Sequence, residues 1–285
     1  MSKDLLFEEM SISNAVQTVA NNVTNELLKR LNNVNGEYVY IRQLGKRVLR
    51  KFVLIEYSFP IFQYIDSISA EIYFGETPEE RNIISQNIDY GGAFEMKDRT
   101  ISVSCLGDGN GNVDIAFFKS VISHELKHAY QEMLYNNKSL PFVFNKATNI
   151  INNPKSIGDE DVYKISSLLY YFNRNEINSK MEEIYAYLKT EGFQTIKEIN
   201  LIPAIREYIW YKRLFVQIND KRNDEALNEK IKQIYGRSLK ELINIINLGL
   251  NYFKVKARKV IGRYKLEQQT KISERRNYPK RFYVR

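Results

Sequence analysis

The sequence predicts an α+β fold, mainly helical, with a mixed region over about 50–190 flanked by helical segments on both sides. Three observations carry this. Apolar residues recur at helical spacing over long stretches towards both ends of the chain. Gly (13) and Pro (6) are too scarce to break such helices often. Short segments rich in Ile, Val, Phe and Tyr gather between residues 67 and 106. With 285 residues, 44% hydrophobic and 27% charged, the chain is long enough to bury a sizeable core and is not of disordered composition.

Over residues 4–31, Leu6, Met10, Ala15, Val19, Val23, Leu27 and Leu31 keep roughly helical spacing, and the turn signal Asn35-Gly36 follows. A second, shorter helix is expected over 41–51, continuing toward "FVLIEYSF" until Pro60 interrupts it. "SISAEIYF" (67–74) reads as a strand, and "GAFEMKD" with "TISVSCL" as a hairpin closing near Lys97-Asp98. "GDGNGN" (107–112) lacks the Gly-Lys-Ser/Thr of a phosphate loop and the distal Glu of a calcium loop, so a flexible loop is expected. A long helix spans 113–135, and "NKATNIINNPKSIGDED" reads as a polar connector. Helices over 161–172, 176–189, 196–218, 225–234 and 239–269 complete the chain, and the last fifteen residues have no usable period.

The only two histidines, His124 and His128, lie in "VISHELKHAYQE", four apart with Glu125 after the first. On a helix that spacing stacks two imidazoles on one face, where both can reach a zinc ion at about 2.0–2.1 Å. Glu125, one step round, is placed to take a proton from a zinc-activated water without being a ligand. Two histidines falling at random would meet this pattern roughly once in two thousand times, so a surface helix with incidental histidines is the weaker reading. Ile122, Leu126, Ala129 and Met133 supply an apolar stripe that would bury the helix's other side. A catalytic site wants a third protein ligand, and with no third histidine it should be a downstream carboxylate.

The stretch "YYFNRNEINSKMEEIYAYL" is where that carboxylate is sought. Here the chain resembles the gluzincin metallopeptidases, HExxH zincins in which a helix beginning near Asn-Glu-x-x-Ser/Ala supplies the third ligand. "NEINS" (175–179) carries the resemblance and implies Glu176 as ligand, with Ser179 where the helix packs closely on its neighbour. Glu183 and then Glu132 are the rival ligands. Lys180 departs from the pattern, standing where thermolysin-like members have an acid that orients a ligand histidine. The oxyanion donor cannot be a histidine; Tyr170, Tyr171, Tyr185 and Tyr187 are available, and the sequence does not choose among them. The resemblance covers about residues 65–190. It implies a small mixed β-sheet packed on the HExxH helix, one Zn2+ per chain and a peptide or protein substrate. It divides the chain into an N-terminal helical segment (1–50), a zincin-like domain (51–190), a C-terminal helical segment (191–270) and a basic tail (271–285).

Residues 251–285 carry twelve Lys or Arg against two acids, +10, while the rest of the chain sums to −2 of the total +8. Lys254, Lys256, Arg258, Lys259, Arg263 and Lys265 read as a solvated helix face; Arg275, Arg276, Lys280 and Arg281, interleaved with Tyr278, Phe282 and Tyr283, suit an anionic partner such as nucleic acid. A partner chain or assembly that orders the termini is a second expectation. The lone Cys105 excludes an internal disulfide and, without a histidine to serve as its base, reads as a packed strand residue. No signal peptide or membrane span is read, so a cytoplasmic location, or packaging in a virion-like assembly, is expected. The expected function is zinc-dependent peptide-bond hydrolysis with Glu125 as general base. The competing reading is a structural or assembly component, for instance of a phage-like particle, that carries a zincin domain; a nucleic-acid-binding module resting on the arm alone comes third.

Overall fold

The computed structural model describes residues 3–56, 65–87, 91–95, 97–108, 110–135, 142–154 and 158–277, and their side chains except at 3–12, 85–87, 132–135 and 271–277. Pro60, the Glu132 and Met133 side chains, and the side chains of the basic tail lie outside that set.

The chain opens with α1 (Lys3–Asn33), followed by β1 (Glu37–Ile41), a 3-10 turn (Arg42–Leu44) and β2 (Lys46–Glu56). Then come β3 (Ser67–Phe74), α2 (Pro78–Asn87), β4 (Gly91–Glu95) and β5 (Thr100–Gly107). The rest is helical: α3 (Ile115–Tyr135), α4 (Phe142–Asn152), α5 (Glu160–Tyr171), α6 (Arg174–Glu191), the short α7 (Ile196–Ile199), α8 (Pro203–Asp220), α9 (Glu225–Tyr235) and α10 (Leu239–Asn277). The fold is α+β and mainly helical, with one small mixed sheet of strand order β1-β2-β3-β5-β4. Among the described strands only β3 and β5 run parallel; the other pairs are antiparallel, including the β4–β5 hairpin. Its turn covers Lys97 and Asp98 and ends at Arg99, whose φ of 50° is left-handed.

Three expectations are corrected. Residues 41–51 are not a helix: Gly45 turns the chain with φ 62°, and β2 then pairs on both sides, with β1 and β3. Its Val48, Val53 and Ile55 are buried, so tertiary pairing overrides a local pattern that a helix also fits. The first half of the polar connector, residues 145–152, belongs to α4, which buries Val143, Ala147 and Ile150 at helical spacing. The single helix expected over 196–218 is two, because Pro203 has no N–H to donate and starts α8 at its first turn. α2 was not foreseen, and α10 runs on to Asn277.

Among the described residues, beside a small cluster of Val48, Tyr73 and Ile84, there are two large hydrophobic cores. One joins α1, the sheet and α3 through Val16, Ala20, Val23, Ile68, Ile72, Val103, Phe118, Ile122 and Leu126. Cys105 belongs to it, and burial pushes its thiol up to about 12, an inert packed residue as expected. The other joins α4, α5, α6 and α8 to α10 through residues such as Ile165, Leu169, Ile177, Ile184, Ile231 and Phe253. Polar latches bind the cores together. Ser13 Oγ donates to Glu182 Oε2 at 2.8 Å, and Gln17 Nε2 reaches the same oxygen at 3.3 Å, fixing α1 on α6. Arg263 is not part of a merely solvated face: it stacks on the Tyr185 ring, pairs with Glu267 at 3.0 Å and donates to Asn14 Oδ1 at 2.7 Å. Among the described residues, no helix is long and apolar enough to cross a membrane.

Where α10 crosses the end of α5, Gly249 sits against the backbone. A Cβ there would lie 2.5 Å from the Phe172 carbonyl oxygen, whereas one at Gly262 on the same helix would meet nothing within 4 Å. Gly262→Ala should therefore stabilise by about 1 kcal/mol, the ordinary helix-propensity gain. Gly249→Ala should instead destabilise by about 1–3 kcal/mol through the forced helix shift. Urea denaturation of both variants checks the opposite signs.

Candidate metal centre

The site is built between α3 and α6, whose apolar stripes face different cores. Phe118, Ile122, Leu126 and Ala129 of α3 pack toward the sheet, while Ile177, Ile184 and Leu188 of α6 pack toward the helical layer. The helices therefore turn polar faces on each other. Asp114 starts α3 by accepting the Phe117 N–H at 2.9 Å and receives the Tyr187 hydroxyl of α6 at 3.3 Å. Asn173 caps α6: its Oδ1 accepts the Glu176 N–H at 2.9 Å, which fixes Glu176 in the first turn. Ser179 is fully buried and donates toward Gln131 Oε1 at 3.5 Å, and Gln131 Nε2 donates to the Asn175 carbonyl at 3.2 Å. The small serine is what lets the two helices approach this closely.

His124, His128 and Glu176 converge across this seam. The two Nε2 atoms are 3.0 Å apart, His124 Nε2 is 3.4 Å from Glu176 Oε1, and His128 Nε2 is 3.3 Å from Glu176 Oε2. Four-coordinate tetrahedral binding with bonds of about 2.0–2.1 Å sets its ligand atoms about 3.3 Å apart, so the triangle has the size that a small metal ion requires. Two imidazole nitrogens and one carboxylate, all on buried or half-buried residues, make a group that could hold a metal ion. Neither neighbouring Nε2 can be satisfied by the other when both are unprotonated, which a shared cation resolves.

Glu183, weighed as a rival ligand, faces the other side of the ring: its Oε2 is 3.3 Å from His124 Nδ1. That nitrogen is buried and has no aligned hydrogen bond, so this carboxylate is its nearest polar partner. Glu183 thus stands where an acid would orient a ligand histidine, the task that Lys180 cannot perform. Lys180 Nζ holds Glu183 Oε2 at 3.1 Å and Glu207 Oε2 at 2.9 Å. Burial opposes its charge, but Glu183, Glu207 and Glu176 outweigh burial and raise its pKa. Burial likewise opposes a charged Glu176, yet the two imidazoles and Lys180 hold it down to about 2. The Glu132 side chain, the other rival, is outside the described residues.

Glu125 is buried on the sheet side of the histidines, against the edge strand β4. A Cβ on Gly92 would lie 2.8 Å from its Cγ and 2.9 Å from its Oε1, so only glycine leaves the carboxylate its place. A cleft of about 1030 Å³ opens over the group, with Glu125, Tyr170 and Phe94 on its walls. Of the four tyrosines, Tyr171 donates to the Ala204 carbonyl, Tyr185 to Glu267 and Tyr187 to Asp114. Tyr170 alone of the four lines the cleft with no hydroxyl hydrogen bond among the described residues; the Glu176 carboxylate, and then burial, push its pKa up. Sequence reasoning missed Gly92 and left Tyr170 in a set of four. Glu176 and Glu183, seven apart on one helix, were readable as one face but not as two roles.

Compared with protein-family models, curated proteins and solved structures, the chain matches none.

If the group binds metal, His124→Ala and His128→Ala should each abolish stoichiometric binding, since two donors rarely hold a catalytic-type ion. Glu176→Gln should also weaken it severely. Glu183→Gln should keep the stoichiometry and lose affinity by about 10–100-fold, the usual effect of removing a ligand's supporting acid. Titration against a competing chromogenic chelator measures all four, and full affinity in Glu176→Gln with none in Glu183→Gln would exchange the two roles.

Proposed function

We propose that this chain is a zinc-dependent metallopeptidase of gluzincin-like design. The single observation that supports the reading is the triangle of His124 Nε2, His128 Nε2 and the Glu176 carboxylate, with sides of 3.0–3.4 Å, and a buried Glu125 beside it. The donor set favours zinc: two imidazoles and one carboxylate are a known catalytic trio for it, with room left for substrate. Zinc held there would polarise a peptide carbonyl and make a water acidic enough to attack it near neutral pH.

The chain's own residues supply the rest. Glu125 is not among the converging donors, so its carboxylate is free to take the proton of the attacking water and deliver it to the leaving amine. Glu183 keeps the His124 ring oriented, and Lys180 keeps Glu183 charged. Tyr170 offers a hydroxyl to the negative charge that develops on the carbonyl oxygen. Among the described residues β4 pairs only with β5, and its outer edge lies beside the cleft with backbone N–H and C=O groups to offer. An extended substrate can add to that edge as a further strand, which presents its backbone rather than its side chains to Glu125.

Glu125→Gln should retain zinc and fold while peptide cleavage falls by about 10²–10⁴-fold, because an amide cannot accept the proton. Tyr170→Phe should lower kcat by about 10²-fold with little change in KM, since the hydroxyl acts on charge that exists only in the transition state. A mixed peptide library, assayed before and after chelation and zinc restoration, tests both. Zinc lost from Glu125→Gln would make that residue a ligand. Wild type that holds zinc and cleaves nothing would favour the assembly-component reading instead.

A further inference from the structure

The cleft does not end at the metal group. Pro203, Arg206 and Glu207, at the start of α8, line both it and a second hollow of about 510 Å³ that continues along the helix past Trp210 and Arg213. Arg206, Trp210 and Arg213 are spaced i, i+4 and i+7, so they form one stripe on the solvent side of α8. Trp210 is 57% exposed, and Ile209, which lines the same hollow, is exposed as well. An indole left in water next to an opening is an unusual use of the chain's one tryptophan. Neither guanidinium is ion-paired among the described residues, whereas the nearby acid Glu207 is taken by Lys180.

We infer that this stripe of α8 is a docking surface for an acidic stretch of the polypeptide substrate, next to the residues bound over the metal group. The inference rests on the peptidase reading above and adds the substrate class. Charge selects the partner: two guanidiniums with no ion pair among the described residues favour carboxylates, which they bind in bidentate fashion. Length sets the spacing. Arg206 and Arg213 are seven residues apart, about 10 Å along a helix at about 1.5 Å per residue. An extended chain covers that distance in about three residues at about 3.3 Å each. An acid-x-x-acid segment therefore spans the two arginines, and an aromatic or aliphatic side chain between the acids falls on Trp210.

Because Trp210 is the sole tryptophan, its emission reports occupancy of the stripe without any turnover. The probes are a synthetic peptide holding Asp-Phe-Ala-Asp and the same peptide with Lys at both Asp positions, titrated into zinc-loaded Glu125→Gln protein. The acidic peptide should shift the emission and bind at least about tenfold more tightly than the lysine peptide, with the preference shrinking as salt rises. Arg206→Glu with Arg213→Glu should remove the preference, and circular dichroism checks that the variant is folded. In wild type, acid-x-x-acid placed on either side of the cleaved bond should lower KM more than it raises kcat. Cleavage of the mixed library with no acid preference and no emission change would overturn this inference and leave the peptidase reading standing. An emission shift with the acidic peptide, but no cleavage of any peptide, would keep the docking surface and sink the peptidase reading. Equal affinity of the two peptides, or a preference that survives the double substitution, would overturn the docking surface outright.

Discussion

The rest of the structure depends on a buried polar seam between α3 and α6. Each helix spends its apolar stripe on a different core, so the faces left to meet are His124, His128 and Gln131 on one side and Glu176, Ser179 and Glu183 on the other. Buried carboxylates are costly unless neutralised, and Glu125, Glu176, Glu182 and Glu183 are all buried. Lys180 offsets part of this charge at Glu183, and Lys127 lies 3.8 Å from Glu182. A dication among the three converging donors would supply much of the rest. Its binding would then also be folding free energy.

How much of this was legible in the sequence follows from the range of each interaction. The histidine spacing and the α3 stripe are local, and a 3.6-residue period displays them directly. The β4–β5 hairpin was equally local. The strand β2 was not legible, because "KRVLRKFVLIE" has a pattern compatible with either period; its partners, β1 and β3, decide it. α4 hid behind asparagines that read as linker, although Val143, Ala147 and Ile150 were spaced for a helix. Pro203 was visible and its consequence simply follows from chemistry. The division of labour between Glu176 and Glu183 needed three dimensions. Periodicity puts both on one face, but only the opposing helix distinguishes the acid that meets Nε2 from the one that meets Nδ1.

Lys180 illustrates how a buried cation is accommodated beside the histidine pair. A cation at this position would repel a nearby metal ion if it pointed there unshielded. Here it is engaged by Glu183 and Glu207 instead, and the carboxylate that it holds is the one that faces His124. Glu183, three residues further along the same helix, is the carboxylate beside His124 Nδ1, and the lysine anchors it. Substituting Lys180 alone would therefore leave Glu183 without the partner that keeps it charged.

The Asn14–Arg263 hydrogen bond joins positions 249 residues apart, and the same arginine stacks on Tyr185 in the helix that bears Glu176. A ribosome delivers α1 first and α10 late, so α6 emerges with one flank covered and the other open. Closing such a wide loop costs entropy that only the final packing returns, which places this contact among the slow events of folding. Until α10 arrives, the backing of α6 is incomplete. The packing behind His124, His128 and Glu176 is thereby completed late, a form of timing written into connectivity.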